Sequence, residues 1–255
     1  MAKPNTAPMR VVEETPAYWR AVFDYPPFNV VDADVFQALQ DLLVRMETTE
    51  TLRVVVFESA LPDFYLSHFD LTGQIGNIMT AVGASGLPIL MDTFVRLTKA
   101  PVVSLAKIRG CVRGVSSEFV LACDMRFASR ENTKLGHPEL GVGLHPGGGG
   151  TERLPHLVGR GRALEIVLSA NDFDGDTAER YGYVNRSLPD AELDSFVDRC
   201  GKKSRQRGLV ADGRSPPRRL HFIWGRTRVA RSPKPRKNRA GTRTATRRRL
   251  REKLA

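Results

Sequence analysis

The sequence predicts an α/β or α+β domain, and three observations carry that reading. Strand-like, β-branched runs alternate with stretches of helical apolar spacing through residues 1 to 200. With 255 residues, 41% hydrophobic and 26% charged, the chain can bury a sizeable core, which rules out disorder throughout. No fixed-period repeat runs through it.

Taken in order, Asp32 is placed to cap a helix whose Val35, Phe36, Leu39, Leu42, Leu43 and Met46 share one apolar face. Arg53 to Phe57 follows as a short β-branched run, the pattern of a buried strand. Pro62 to Asp70 leads into the glycine-containing stretch Gly73 to Gly86, expected to be a mobile loop with some helix. A second buried strand, Pro101 to Ile108, runs into Gly110 and Gly114. A helix starting near Ser116 then carries Glu118 to Cys123, and Asp124 to Ala128 reads as a third strand. Gly136 to Glu139 and Pro146 to Thr151 read as loops. Arg162 to Leu168 and Thr177 to Tyr181 read as helices, the latter with Asp174 as its N-cap. After Cys200 the pattern stops, so the domain is expected over residues 10 to 200.

Charge divides the chain at the same place. The net charge of +11 would suggest a nucleic-acid or anionic-surface partner if it were spread evenly. Residues 201 to 255, however, hold 20 Lys+Arg and 2 Asp+Glu, a balance of +18, which leaves −7 for residues 1 to 200. The tail has few aliphatic side chains and is expected to be largely disordered or loosely helical. Its enrichment in Arg, Pro and Gly is what a high-GC gene read in a shifted frame tends to produce, so a frameshift product is one reading and a selected basic tail the other. Only Phe222 and Trp224 are interleaved as aromatics, which gives base stacking little support and argues against nucleic acid as a partner. Three cysteines, Cys111, Cys123 and Cys200, form no Cys-x-x-Cys pair, which predicts a reduced, cytoplasmic protein without a zinc ribbon. No run of 18 apolar residues and no signal-like N-terminus is present, so no membrane partner is expected.

The Gly147 to Gly150 run is not a phosphate loop, because Thr151-Glu152 follows where Gly-Lys-Ser/Thr would be needed; it reads as a tight turn entering a helix. More informative is Gly110-Cys-Val-Arg-Gly-Val-Ser-Ser-Glu118 together with Gly136-His-Pro-Glu139. The first makes a glycine-containing turn into a helix, where free N–H groups and the positive end of the helix dipole can face a developing oxyanion. Glu118 stands in the first turn of that helix, ahead of an apolar run. Each glutamate alone fits a helix-start or surface carboxylate, whereas the two together, each beside a marked turn, point to chemistry.

These segments resemble the enoyl-CoA hydratase/isomerase, or crotonase, superfamily over residues 15 to 200. Phe64-Tyr-Leu-Ser-His-Phe-Asp-Leu71 is similar to the family's first oxyanion segment, and Pro101 through Asp124 to its strand, glycine turn and helix. Leu135-Gly-His-Pro-Glu-Leu-Gly-Val-Gly-Leu-His-Pro-Gly-Gly-Gly-Gly-Thr-Glu-Arg-Leu154 is similar to its Pro-Glu and Pro-Gly-x-Gly-Gly-Thr signature. The resemblance implies an α/β spiral of β-β-α units, with two roughly perpendicular sheets flanked by helices. It implies a coenzyme A thioester as substrate, no separate cofactor and no metal, and a homo-oligomer, trimer or hexamer. The shared chemistry is stabilisation of a thioester enolate by two backbone N–H groups, here those of Ser67 and Ser116. Ser67, His68, Phe69, Asp70 and Ser116 would border the coenzyme A thioester.

Glu118 and Glu139 stand where the family's hydratases hold a water between two glutamates. Glu118 would help activate the water and Glu139 deliver a proton to the α-carbon, a division favoured when two carboxylates in one cleft push their pKa values apart. Hydration of a 2-enoyl-CoA is the leading activity. Isomerisation, thioester hydrolysis, binding without turnover and nucleic-acid binding by the tail are the alternatives. His68 and Ser116 occupy positions where the family commonly has Gly, and His137 one where Gln or a small residue is usual. The two histidines are expected to line the cleft, with a part in proton transfer as the alternative.

Overall fold

A computed structural model describes residues 7–71, 78 and 81–206. Most of the expected loop at 73–86, and the basic tail from residue 207 onward, lie outside the described residues. The described residues all fall in one compact unit, residues 1–219.

The chain opens with an antiparallel pair, β1 (Met9–Thr15) and β2 (Tyr18–Phe23). Helix α1 (Ala33–Thr48) starts at Asp32, whose carboxylate accepts from the N–H groups of Asp34 and Val35, both at 3.0 Å. All six apolar residues expected on its face are buried. Strand β3 (Val54–Ser59) pairs in parallel with β2, and short β4 (Phe64–Leu66) follows. Helix α2 (Ile89–Lys99), to which the sequence reading assigned no element, buries Phe94 and Leu97.

Strand β5 (Val103–Arg113), helix α3 (Val115–Ala122) and strand β6 (Met125–Gly136) form the centre. Both strands run on well past the expected ends at Ile108 and Ala128. β6 does so through the polar, exposed Arg130, Glu131 and Asn132, because its second half pairs with β5 at Gly110, Cys111, Val112 and Arg113. A register irregularity at Ile108/Gly110 marks where the partners change: the first half of β5 pairs with β3 and the second half with β4. β6 repeats the pattern, pairing first with β8 (Arg186–Leu188) and then with β7 (Phe173–Asp174). The two expected sheets are therefore continuous through β5 and β6, in one hydrogen-bonded network.

A 3-10 turn (Pro138–Val142) replaces the loop expected after Gly136, and the glycine run enters α4 (Gly150–Val158). Then come α5 (Arg160–Ser169) and α6 (Gly175–Tyr181), the latter capped by Asp174, which accepts from the Thr177 N–H at 2.8 Å. Helix α7 (Asp190–Gln206) crosses the boundary expected at Cys200. Gly201 is buried where any Cβ would meet the Tyr18 ring, so the polar Lys202 and Lys203 belong to the last turns of a packed helix and not to the tail.

Alternation sorts the strand residues between two cores. Val55, Phe57 and Ala106 join α1, α2 and α3 in the larger core, while Val54, Val56, Leu105 and Phe127 pack beneath Leu193 and Val197 of α7. The larger core thus anchors the helix that carries Glu118.

Candidate active site

Pairing of β4 with the second half of β5, Phe64 with Cys111 and Leu66 with Val112, delivers two chain segments side by side: Ser67-His68 and Gly114-Val115-Ser116. Gly114 takes φ +58°, a conformation glycine adopts without strain, and a Cβ there would lie 4.0 Å from the His68 Cβ and 3.3 Å from Glu139 Oε1. The first intrahelical bond of α3 runs from the Glu118 N–H to Gly114 O, so the N–H groups of Val115, Ser116 and Ser117 have no acceptor within the helix. Ser116 is completely buried, whereas Val115 keeps 6% of its surface.

One expectation is overturned here. The Ser67 N–H donates to Asn29 O at 2.9 Å and is not free to bind an oxyanion. The next N–H along, that of His68, makes no hydrogen bond among the described residues. Asn29 sets this register: it is buried at φ +51°, its Oδ1 accepts from the Tyr25 N–H, and its Nδ2 donates to Ser59 Oγ and to the Tyr65 carbonyl at 2.9 Å. The Val31 N–H donates to His68 O and the Asp70 N–H to Val31 O, which hold Phe69 and Asp70, both partly exposed, along the same segment.

Glu118 is 2% exposed. Its Oε1 accepts from the N–H groups of Gly148 at 2.7 Å and Gly150 at 2.8 Å, so the glycine run is a clamp on a carboxylate. Glycine is required there by contact: a Cβ on Gly148 would lie 2.9 Å from Glu118 Oε2 and from the Phe94 ring. Burial pushes Glu118 up to a pKa of about 7 and the charge of Glu139 adds to this, against the opposing pull of the Gly150 and Gly148 N–H groups and of Arg153. Glu139 is also raised, by burial. The two carboxyls therefore share one field, and at neutral pH they are not both fully ionised.

Behind them lies His137, completely buried, its Nε2 3.3 Å from the Tyr183 hydroxyl. Arg153 donates to Gly148 O at 3.2 Å and braces the clamp. The sequence reading did not single out Tyr183, Arg153 or Asn29, and it took the glycine run only as a turn. The spacing of Gly148 and Gly150, two alternate N–H groups opening a helix, was the signal available for the clamp. Among the described residues no group of three His, Cys, Asp or Glu side chains could hold a metal, and no helix is long and apolar enough to cross a membrane.

Residues 21–207 match the family model for enoyl-CoA hydratase/isomerase. The chain belongs to the enoyl-CoA hydratase/isomerase family. Members of this crotonase superfamily are enzymes. The chain is similar to a Streptomyces avermitilis protein named provisionally as an enoyl-CoA hydratase, with 43% identity, a TM-score of 0.74, and coverage of 80% of this chain and 75% of that one. It is similar to Pseudomonas aeruginosa DspI at 28% identity and a TM-score of 0.67, covering 79% and 76% of the two chains. It is also 34% identical over 187 residues to the fatty acid oxidation complex subunit alpha of Aliivibrio fischeri. That match spans 72% of this chain but only 27% of the larger relative.

Proposed function

We propose that the chain adds water across the double bond of a 2-enoyl-coenzyme A thioester. The observation that carries the reading is the pair of Glu118, buried, and Glu139, partly buried, set beside the N–H groups of His68 and Val115, which have no acceptor among the described residues. Ser116 also has a first-turn N–H without an intrahelical acceptor, but it lies wholly beneath the surface, which makes Val115 the outer donor. The thioester oxygen would take hydrogen bonds from His68 and Val115, and each donor is worth about 2.7–4 kcal/mol as charge develops on that oxygen. Glu118 accepts a proton from water as the oxygen attacks the β-carbon. Glu139 gives a proton to the α-carbon of the enolate. A proton then passes from Glu118 back to Glu139, so that one water is added and the pair is reset. No separate cofactor enters this scheme. Ser67, His68, Phe69 and Asp70 would border the thioester and its coenzyme A.

Hydration is favoured over isomerisation because two carboxyls, both raised by desolvation, stand at the site, and addition of water uses a base and an acid together. The test is the loss of enoyl-thioester absorbance on adding the protein to a panel of 2-enoyl-CoA substrates, with products identified. Glu139→Gln is expected to slow the reaction by about 10²–10⁴-fold. Absence of the 3-hydroxyacyl product across the panel would overturn the reading.

The chain is also expected to self-associate. Val142 and Leu144 near the 3-10 turn, Leu157 on α4, and Leu164 and Leu168 on α5 are exposed, and α5 packs against both the turn and α4. Sedimentation velocity should show a homo-oligomer, and Leu164→Lys with Leu168→Lys should shift it towards monomer.

A further inference from the structure

Two buried atoms at the site lack the hydrogen bond their chemistry calls for, and they face each other. His137 Nδ1 and Glu139 Oε2 are both sealed from solvent without a partner, and they lie 3.8 Å apart. A buried polar atom without a partner is costly, because it has given up water and gained nothing in exchange. The separation meets a generous ion-pair distance, yet no ion pair forms, because burial holds His137 at a pKa of about 4 and the ring is neutral at pH 7. At 3.8 Å it is also beyond hydrogen-bond reach, and contacts of this kind tighten as a reacting complex forms.

The far side of the ring decides which nitrogen carries the proton. Nε2 lies 3.3 Å from the Tyr183 hydroxyl, and that hydroxyl donates to the Ser117 carbonyl at 3.3 Å. A carbonyl only accepts, so the tyrosine proton is committed to it, and burial raises the Tyr183 pKa and keeps that proton in place. Nε2 must then be the donor, which leaves a bare lone pair on Nδ1 opposite Glu139. A carboxylate there would set two acceptors against each other, whereas a carboxylic acid supplies the missing proton. The other titratable or charged groups around this pair are Glu118 on α3, His145 beyond the 3-10 turn, Arg153 on α4, His68 after β4, and Tyr183 itself.

We propose that His137 is a positioning residue for Glu139: its Nδ1 lone pair accepts the hydrogen of the Glu139 carboxyl, holding the proton on Oε2 and making Glu139 the acid of the pair. What that proton does next rests on the hydration reading; the hydrogen bond does not.

The test uses the full chain labelled with 15N-histidine, the His137 signals being assigned among the five histidines by their loss in His137→Asn. At pH 7 the ring should be the neutral Nε2–H tautomer, with its Nδ1 resonance shifted upfield by a donor, and Glu139→Leu should return that resonance to the value of an unbonded lone pair. A ring protonated on Nδ1, or an Nδ1 signal that is the same in wild type and Glu139→Leu, overturns the proposal. Should His137→Asn not fold, the tautomer and its response to Glu139→Leu remain readable in the other two proteins. In turnover, His137→Leu should lower kcat about tenfold with little change in KM and draw the basic limb of the pH profile to lower pH. His137→Asn, whose Oδ1 replaces the acceptor, should recover most of that loss. A missing hydratase activity with the tautomer result intact would remove the hydration reading and leave the positioning role standing.

Discussion

Glu118→Gln is expected to lose about 10²–10⁴-fold of hydratase turnover and, above pH 7, to gain stability. The amide keeps an oxygen for the Gly148 and Gly150 N–H groups but has no basic lone pair to take a proton from water. The stability gain follows from linkage. Burial raises the folded-state pKa from the ordinary 4.5 to about 7, so the native state favours the neutral acid. Its contribution is fully present below pH 4.5 and is lost as pH rises through 7. Ionising the buried group therefore costs about 3 kcal/mol by pH 8, at 1.36 kcal/mol for each pKa unit. Glutamine is neutral throughout. Urea unfolding at pH 5 and pH 8 should show a gap between variant and wild type that opens towards alkaline pH. An equal gap at both values would mean that Glu118 titrates normally.

Arg126→Met should be the most destabilising of the substitutions considered, by about 3–5 kcal/mol. Arg126 is 6% exposed, and its guanidinium donates to three carbonyls: Tyr183 at 2.7 Å, Cys123 at 2.8 Å and Val120 at 3.3 Å. Two of these belong to the C-terminal end of α3, where a cation also meets the negative end of the helix dipole. Methionine fills much of the volume but removes the donor from all three carbonyls, of which Val120 O keeps the Cys123 N–H at 3.2 Å. Because α3 carries Glu118 and Tyr183 holds His137, the expected loss is of stability and site geometry together. Thermal unfolding should fall by about 10 °C, given 2–4 °C per kcal/mol for a chain of this size. A change under 1 °C would show that water replaces the guanidinium.

What the sequence made legible was local. Asp32 and the apolar face behind it foretold α1, and Asp174 foretold the start of α6, because capping and periodicity are written within a few residues. The two glutamates stood out for the same reason, each beside a glycine or proline turn. The structure departs from the reading where distant partners decide. Arg130, Glu131 and Asn132, to which the reading gave no element, carry β6 across the irregularity between the two stretches that pair with β5, Met125 to Ala128 and Thr133 to Gly136. β7 and β8 span two and three residues, too short to show a period of their own. The Ser67 N–H looked available because Asn29, 38 residues earlier, is its acceptor. The boundary at Cys200 was drawn from composition, which cannot see that Gly201 touches Tyr18. His137 and Tyr183 are 46 residues apart and meet only through the packing of β6 against the segment leading to β8.

The clamp on Glu118 makes a reacting group into a fastener. One oxygen joins the first turn of α3 to the entry of α4, and the strength of that joint follows its charge: firm when Glu118 is ionised, slack when it is protonated. In a turnover that passes a proton onto Glu118, the wall of the cleft would loosen as the new C–O bond is completed and tighten again when the proton leaves. The same event that marks the formation of product would ease its departure, without a separate moving part to time it.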